Sequence, residues 1–378
     1  MLNKTQKRIL SLFIRHPSYA WRLVNSFYQL SDNLLSKYEK VLDWSFISGN
    51  LSLVNSIEFI EKYADKLDWV ILSECINAPI NEDFIDRFKD KIIWSTNELD
   101  ESSPFQSFCA NENFNWTLNR IKKYEKCIDW DDFSQNRGYF WSEQIIEKYS
   151  DMIRWDCFLP RFTKPYSEKF IEKFTKRISH PYAQLGIPDD ISLIEKYYED
   201  VSWYSVSGSE KIPWAFELIN KWKDNLSFGL LIGNKTVVNS IEKFEEWFED
   251  WNDDKYSWLS HNSGINWSIN FLEQHKDKWD WEMISINESL PWSEQLIEYF
   301  KDYLIFGKLI PIVTEPGCFD VFSGMEINPG IPWSIHLLEK YEESWEFGLL
   351  EDNPSIWEKA FKPYVNDELV EYFIRISC

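Results

Sequence analysis

One short motif returns along the whole chain and narrows its possible folds more than any other feature. Residues 141–155 read WSEQIIEKYSDMIRW, residues 292–306 read WSEQLIEYFKDYLIF, and residues 267–281 read WSINFLEQHKDKWDW. Weaker copies occur at 56–69, SIEFIEKYADKLDW, and at 333–347, WSIHLLEKYEESWEF. The closing aromatic serves as a ruler: Trp44, Trp69, Trp94, Trp130, Trp155, His180, Trp203, Phe228, Trp258, Trp281, Phe306 and Phe347. Most successive steps are 23 or 25 residues, and three are longer, from 94 to 130, 228 to 258 and 306 to 347. Self-similarity at a nearly fixed period is the mark of a repeat array.

Each copy spells a helix pair. In the copy at 292, Ser293 is an N-cap, which leaves Trp292 just outside the helix and Ile297 at its fourth position, the two ends of a hydrophobic staple. Leu296, Ile297 and Phe300 recur at helical spacing and give one apolar face. The spacing predicts a helix of about three turns, roughly 15–18 Å. An Asp before the aromatic, as in Leu67-Asp68-Trp69, can cap a second, shorter helix of pattern W-x-x-L-S. Asn and Pro, as in Asn77-Ala78-Pro79, then turn the chain into the next unit.

So short a pair cannot bury its own apolar face and must stack on its neighbours. The expected fold is all-α, an α-solenoid of about twelve repeats of roughly 25 residues with capping helices at its ends. Residues 1–30 hold five cations and no carboxylate and are read as the N-terminal cap. Residues 31–354 form the array, with insertions near 95–115, 248–257 and 307–332. Residues 355–378 lack the closing motif and are read as the C-terminal cap. The unit W-S-x-x-L-I-E-K-Y-x-D-x-L-D-W-x-x-L-S-x-N resembles Trp-rich short helical repeats of bacterial and giant-virus proteins. That resemblance covers roughly 31–354 and implies a helical repeat protein with no assigned activity. His180 and Phe228 depart from it in place of the closing Trp, and His275 in place of the Tyr.

Charge narrows the partners. With 62 Asp and Glu against 40 Lys and Arg, the net charge is −22, which disfavours direct binding to nucleic-acid backbones and complements a basic protein. The same charge also keeps a chain with 17% aromatic residues soluble. The six cysteines, Cys75, Cys109, Cys127, Cys157, Cys318 and Cys378, form no CxxC pair and match no zinc or disulfide framework. Reduced buried thiols fit a cytoplasmic protein. No signal peptide or membrane-spanning run is evident.

No catalytic pattern stands out. The five histidines, His16, His180, His261, His275 and His336, show neither HExxH nor a metal-ligand spacing, and phosphate-binding glycine loops and a GxSxG elbow are absent from the sequence. Carboxylate pairs such as Asp131-Asp132 are too frequent to mark an acid–base couple. The expectation is a protein that is not an enzyme and needs no cofactor or metal.

Of the 21 Trp, fourteen fall in two repeat slots, eight closing a helix (44, 69, 94, 130, 155, 203, 258, 281) and six preceding one (116, 141, 214, 267, 292, 333). These read as core. Trp21, Trp222, Trp247, Trp251, Trp279, Trp345 and Trp357 lie outside the slots and are the better candidates for exposed contacts. Insertions in an array project from one face, and that face often binds. Candidate partner-binding residues are therefore Trp247, Glu249, Asp250, Trp251, Asp253 and Asp254 in one insertion. Asp100, Glu101 and Phe105 belong to the insertion near 95–115, and Phe319 to that near 307–332. The E-K-Y run, as in Glu61-Lys62-Tyr63, lies on the polar face, where repetition could build an acidic stripe.

These features point to a monomeric, non-enzymatic repeat protein that binds a basic protein, in its sharpest form an immunity-type inhibitor of a cationic toxin. A glycosylase-like helical-repeat enzyme acting on nucleic acid, which needs a continuous positive groove, is the alternative, as is a generic assembly scaffold.

Overall fold

The computed structural model describes residues 1–378 except 75–80, 99–106, 113, 137, 139–140, 157, 159–166, 175–176, 178–190, 197, 200, 248–254, 308, 316–317, 352 and 378. The described chain is helical, apart from one antiparallel hairpin of β1 (Leu309–Glu315) and β2 (Cys318–Ser323). It forms two compact units, Met1–Lys37 with Trp203–Cys378, and Tyr38–Ser202. Among the described residues no helix is long and apolar enough to cross a membrane.

Both units are built from the predicted helix pair. The first helix of each pair starts at a capped serine, threonine or asparagine: Ser56, Asn81, Thr117, Ser142, Ser268, Ser293 and Ser334 each accept a hydrogen bond from the N–H three residues on. It is shorter than the spacing predicts, six residues at Ile57–Lys62 and seven at Glu143–Tyr149. The reason is visible at Tyr63, whose carbonyl accepts from both Lys66 and Leu67, so the chain tightens into turns after the aromatic. The second helix starts at the expected acidic cap. Asp43, Asp68, Asp129 and Asp280 accept from backbone N–H groups two residues on.

Two polar side chains tie each pair to its neighbour. The serine of the short helix donates to the carbonyl four residues back and accepts the backbone N–H twenty residues on. Ser73 Oγ lies 2.6 Å from the Trp69 carbonyl and 2.9 Å from the Ile93 nitrogen. Ser48, Ser134, Ser207, Ser260 and Ser285 repeat this geometry. The asparagine two residues further reaches back to the preceding pair. Asn136 Nδ2 donates to the Cys109 and Asn111 carbonyls at 2.9 and 2.8 Å, and Asn287 Nδ2 to those of Ser260 and Asn262 at 2.9 and 3.3 Å. Its oxygen meanwhile accepts the N–H two residues on, which sets the turn. These groups are buried, and each satisfies a backbone group outside its own helix.

Most of the slot indoles are satisfied in the same periodic way, while those of Trp116 and Trp130 are buried with no hydrogen-bond partner. Trp44, Trp69, Trp94, Trp155 and Trp281 donate to the carbonyl five residues back, in the turn of their own pair. Trp141, Trp267, Trp292 and Trp333 donate to the carbonyl of the turn asparagine. Both Trp slots therefore join an apolar ring to one fixed donor.

Two expectations about aromatic placement fail. The residue four before Ser260 is Tyr256, whose carbonyl receives that serine. Tyr256, not Trp258, thus fills the closing slot and is buried, while Trp258 is 46% exposed. The Trp expected to be exposed are mostly core. Trp222 takes the position of Tyr63, and Trp279 and Trp345 take that of Leu67; all three are buried, as is Trp357. Trp21 is half-buried against Phe373, with ring centroids 5.2 Å apart.

The two terminal segments also depart from the expected arrangement. They do not close separate ends of an array but pack on each other within the first unit. Phe13 meets Phe361 and Phe373 at 5.5 and 5.4 Å, and Phe27 stacks on Trp357. Ile9, Leu12, Phe13, Leu23, Leu369, Val370, Phe373 and Ile374 are fully buried in this joint core. Each such side chain contributes roughly 1.5–3 kcal/mol on burial, so two amphipathic ends gain more by sharing a core than by facing water.

Candidate interaction surface

The polar face of the long helices carries the clearest electrostatic pattern. A carboxylate on one helix receives a cation from the next, twenty-odd residues on in the uninterrupted repeats. In the second unit Arg87 pairs with Glu61, Lys91 with Asp65, Lys173 with Glu147, Arg177 with Asp151, and Lys66 with Glu39. Across the insertion, Arg120 and Lys123 reach Glu82, and Lys123 also reaches Asp86. In the first unit Lys340 reaches Glu298 across the hairpin insertion. The E-K-Y run is thus not a plain acidic stripe, since neighbouring helices neutralise one another. Hydrogen bonds from Tyr341, Lys340 and Lys301 hold the Glu298 carboxyl down at about 2.

The same seat combines charge with a ring. Lys91 lies 2.9 Å from Asp65 and 5.9 Å from the centre of the Trp69 ring. Arg177 sits between Asp151 and Trp155, Lys173 between Glu147 and Phe174, and Lys340 between Glu298 and Tyr341. A cation held by a carboxylate and an aromatic face is the recurrent contact of this surface.

The basic N-terminal helix takes part in it. Arg8 bonds Glu339, and Arg15 and His16 share Glu342, with His16 also stacked on Phe347 at 3.5 Å. Arg22 pairs with Glu351 and Lys37 with Glu371. Carboxylates of the last repeat and the C-terminal helix are therefore engaged by the chain's own cations, most of them from residues 1–30.

The insertions leave the array at defined points. The N–H of the core residue of the short helix normally bonds the carbonyl just before the closing aromatic, as Leu72 does to Asp68. Phe108 makes that bond to Ile93 and Met325 makes it to Ile305. The first and third insertions therefore bulge from the same point and return to it. Gly307, at φ +59°, starts the third, and at Gly324 a Cβ would stand 2.3 Å from the Ile305 carbonyl oxygen. Glu326 stands where other repeats have serine. Its Oε1 accepts from Gly307 at 2.7 Å and its Oε2 has no hydrogen-bond partner. Burial pushes this carboxyl above the ordinary glutamate range, and nearby Glu346 adds to the rise.

Of the predicted partner-binding residues, the structure describes Trp247 and the backbone at Phe319. Trp247 ends the helix Ile241–Trp247, half-buried, with the Lys243 Nζ 4.2 Å over its ring and Phe216 5.9 Å away. Phe319 lies on β2 paired with Val313. Glu249, Asp250, Trp251, Asp253, Asp254, Asp100, Glu101 and Phe105 lie outside the described residues. Sequence reasoning missed the exposed Trp258. Its ring lies across Gly229, where a Cβ would meet three ring carbons at 2.6 Å. The signal available was the glycine in Phe228-Gly229, which admits a flat ring onto the helix backbone. Cys109 is a buried free thiol, which burial pushes above the ordinary thiol range and so keeps protonated, as expected of a core cysteine. Among the described residues no group of His, Cys, Asp and Glu is arranged to hold a metal ion.

Comparison with known proteins adds no relative: no protein family, no curated protein and no solved structure matches the chain.

Proposed function

We propose that this chain is a protein-binding repeat protein, its helix pairs stacked as an α-solenoid, that acts by holding a basic protein and not by catalysis. The observation that carries this reading is the seat made of one carboxylate and one ring, repeated along the polar face. Carboxylates of the last repeat already hold Arg8, Arg15 and Arg22 of a segment rich in cations and free of carboxylates. The surplus behind the net charge of −22 leaves acidic surface beyond what the chain's own cations cover. Its sharpest form is an immunity-type inhibitor, a cytoplasmic monomer that neutralises a cationic toxin by covering the surface it uses on its substrate. Against a nucleic-acid enzyme stands the engagement of the long-helix cations by carboxylates, which works against a continuous positive groove.

The test is affinity capture from nuclease-treated host lysate, with elution by rising salt and mass spectrometry. One basic protein released in stoichiometric yield, which then re-forms the complex from purified components, is the expected result. Recovery of acidic proteins that resist high salt contradicts the reading.

A further inference from the structure

Cross-helix ion pairs recur at several described junctions between long helices, and at one junction the carboxylates and the ring remain while both cations are replaced. Between the helices Ile269–Gln274 and Glu294–Phe300, the two positions that hold Arg87 and Lys91 in the second unit are Tyr299 and Tyr303. The carboxylates opposite them remain as Glu273 and Asp277, and the ring remains as Trp281. Tyr303 lies on Trp281 at 5.0 Å, as Lys91 lies over Trp69. Tyr299 and Tyr303 are 55% and 38% exposed. Glu273 turns to Lys276 just beyond its own helix, while Asp277 makes no ion pair among the described residues. One junction earlier, exposed Glu245 is matched by Gln274 at the position of Arg87.

We infer that this helix face, centred on Asp277, Tyr299 and Tyr303, is the docking surface for a Lys- or Arg-bearing segment of the partner protein. The inference rests on the proposed function and adds its location. The occupant follows from charge and from the chain itself. In sister junctions the same carboxylate takes a Lys or Arg against an aromatic face, so an incoming cation finds the arrangement that Lys91 and Arg177 find internally. Two exposed phenol rings in place of a guanidinium and an ammonium group remove the competing charge and supply π faces. An acidic partner would meet Glu245, Glu273 and Asp277 with repulsion, and a bare hydrophobic one would bury unpaired carboxylates.

The test uses the full chain and a synthetic peptide of alternating Arg and Gly, with binding followed by calorimetry at physiological salt. Y299K/Y303K fills the seats from within, as the sister repeats do, and thermal melting checks that it folds. Y364K/Y372K makes the same charge change at exposed tyrosines outside the seats. The surface predicts that Y299K/Y303K loses at least about tenfold in affinity, while Y364K/Y372K loses less than about twofold. Equal losses in both variants overturn the site and leave the basic-partner reading standing, since only total charge is then at work. Absence of peptide binding by the unaltered chain overturns both.

Discussion

At the scale of single residues, this structure is governed by small polar side chains that link one helix pair to the next. Asn287 illustrates the cost of losing one. Its amide serves two carbonyls and its oxygen accepts from Ser289, all in a buried turn. Asn287→Ala is expected to destabilise by about 2–3 kcal/mol in urea unfolding, because the carbonyls left behind are shielded from water. Asn287→Asp should cost more, since a carboxylate would face two carbonyl oxygens; a smaller cost than that of Ala would contradict this account. Trp258 offers a second test. Gly229→Ala drives a methyl into its ring and should cost about 1–3 kcal/mol. In a Trp258→Ala background the same change should become favourable by up to about 1 kcal/mol, because alanine is the better helix former. A double-mutant cycle by thermal unfolding measures that coupling.

Residues were legible in the sequence where a slot repeats. Ser293 as cap, Asp68 as cap and Trp292 before its helix could be read directly, since each has one local job. Trp258 could not. Trp258 stands two positions from Tyr256, and a closing slot held by Trp in most repeats points to the nearer Trp. The serine four residues after the aromatic is the better ruler, because its hydroxyl must meet that residue's carbonyl. The insertion residues from Asp100 to Phe105 and from Glu249 to Asp254 carry no repeating constraint, so nothing in the pattern places them.

At the scale of elements, the insertions differ although they spring from the same bond. The first continues from Trp94 through the short turn Thr96–Glu98, whose Thr96 nitrogen and hydroxyl bond Asp132. The third forms a hairpin, because LIPIVTE and CFDVFS carry β-branched and aromatic residues around a Pro-Gly pair, a strand signal that the repeat spacing registers only as an insertion. Glu326 latches the root of that hairpin. The folded chain holds its proton more tightly than the unfolded chain does, so its contribution is greatest at low pH. That contribution is lost as pH rises from the ordinary value of 4.5 through the raised one. Glu326→Gln keeps an acceptor for Gly307 without the charge. The substitution should therefore flatten the fall in stability above pH 4.5, as read from urea midpoints across the pH range. A variant whose pH profile matches that of the unaltered chain would contradict the latch.

At the scale of the molecule, the meeting of the two ends in one core is the feature that repeat counting did not foresee. Periodicity places units in order along a chain but says nothing about what covers the first and last. The amphipathic run at Ile9, Leu12 and Phe13 and the one at Leu369, Val370 and Phe373 were each legible as half of something; their pairing is a property of the fold. Removing residues 1–30 should expose Phe361 and Phe373 and make the helix Asp367–Ser377 the first site cut in limited proteolysis. Cleavage elsewhere with that helix intact would contradict the shared core. The functional claim rests on charge held in seats, and charge leaves a kinetic signature. With the captured partner purified, the decisive measurement is the association rate by stopped flow across a range of ionic strength. The account predicts a rate that falls steeply, by roughly tenfold or more from low to physiological salt, because screening weakens steering between an acidic surface and a basic one. A rate that stays flat as salt rises would contradict it and move the partner site to the apolar surface around Trp258.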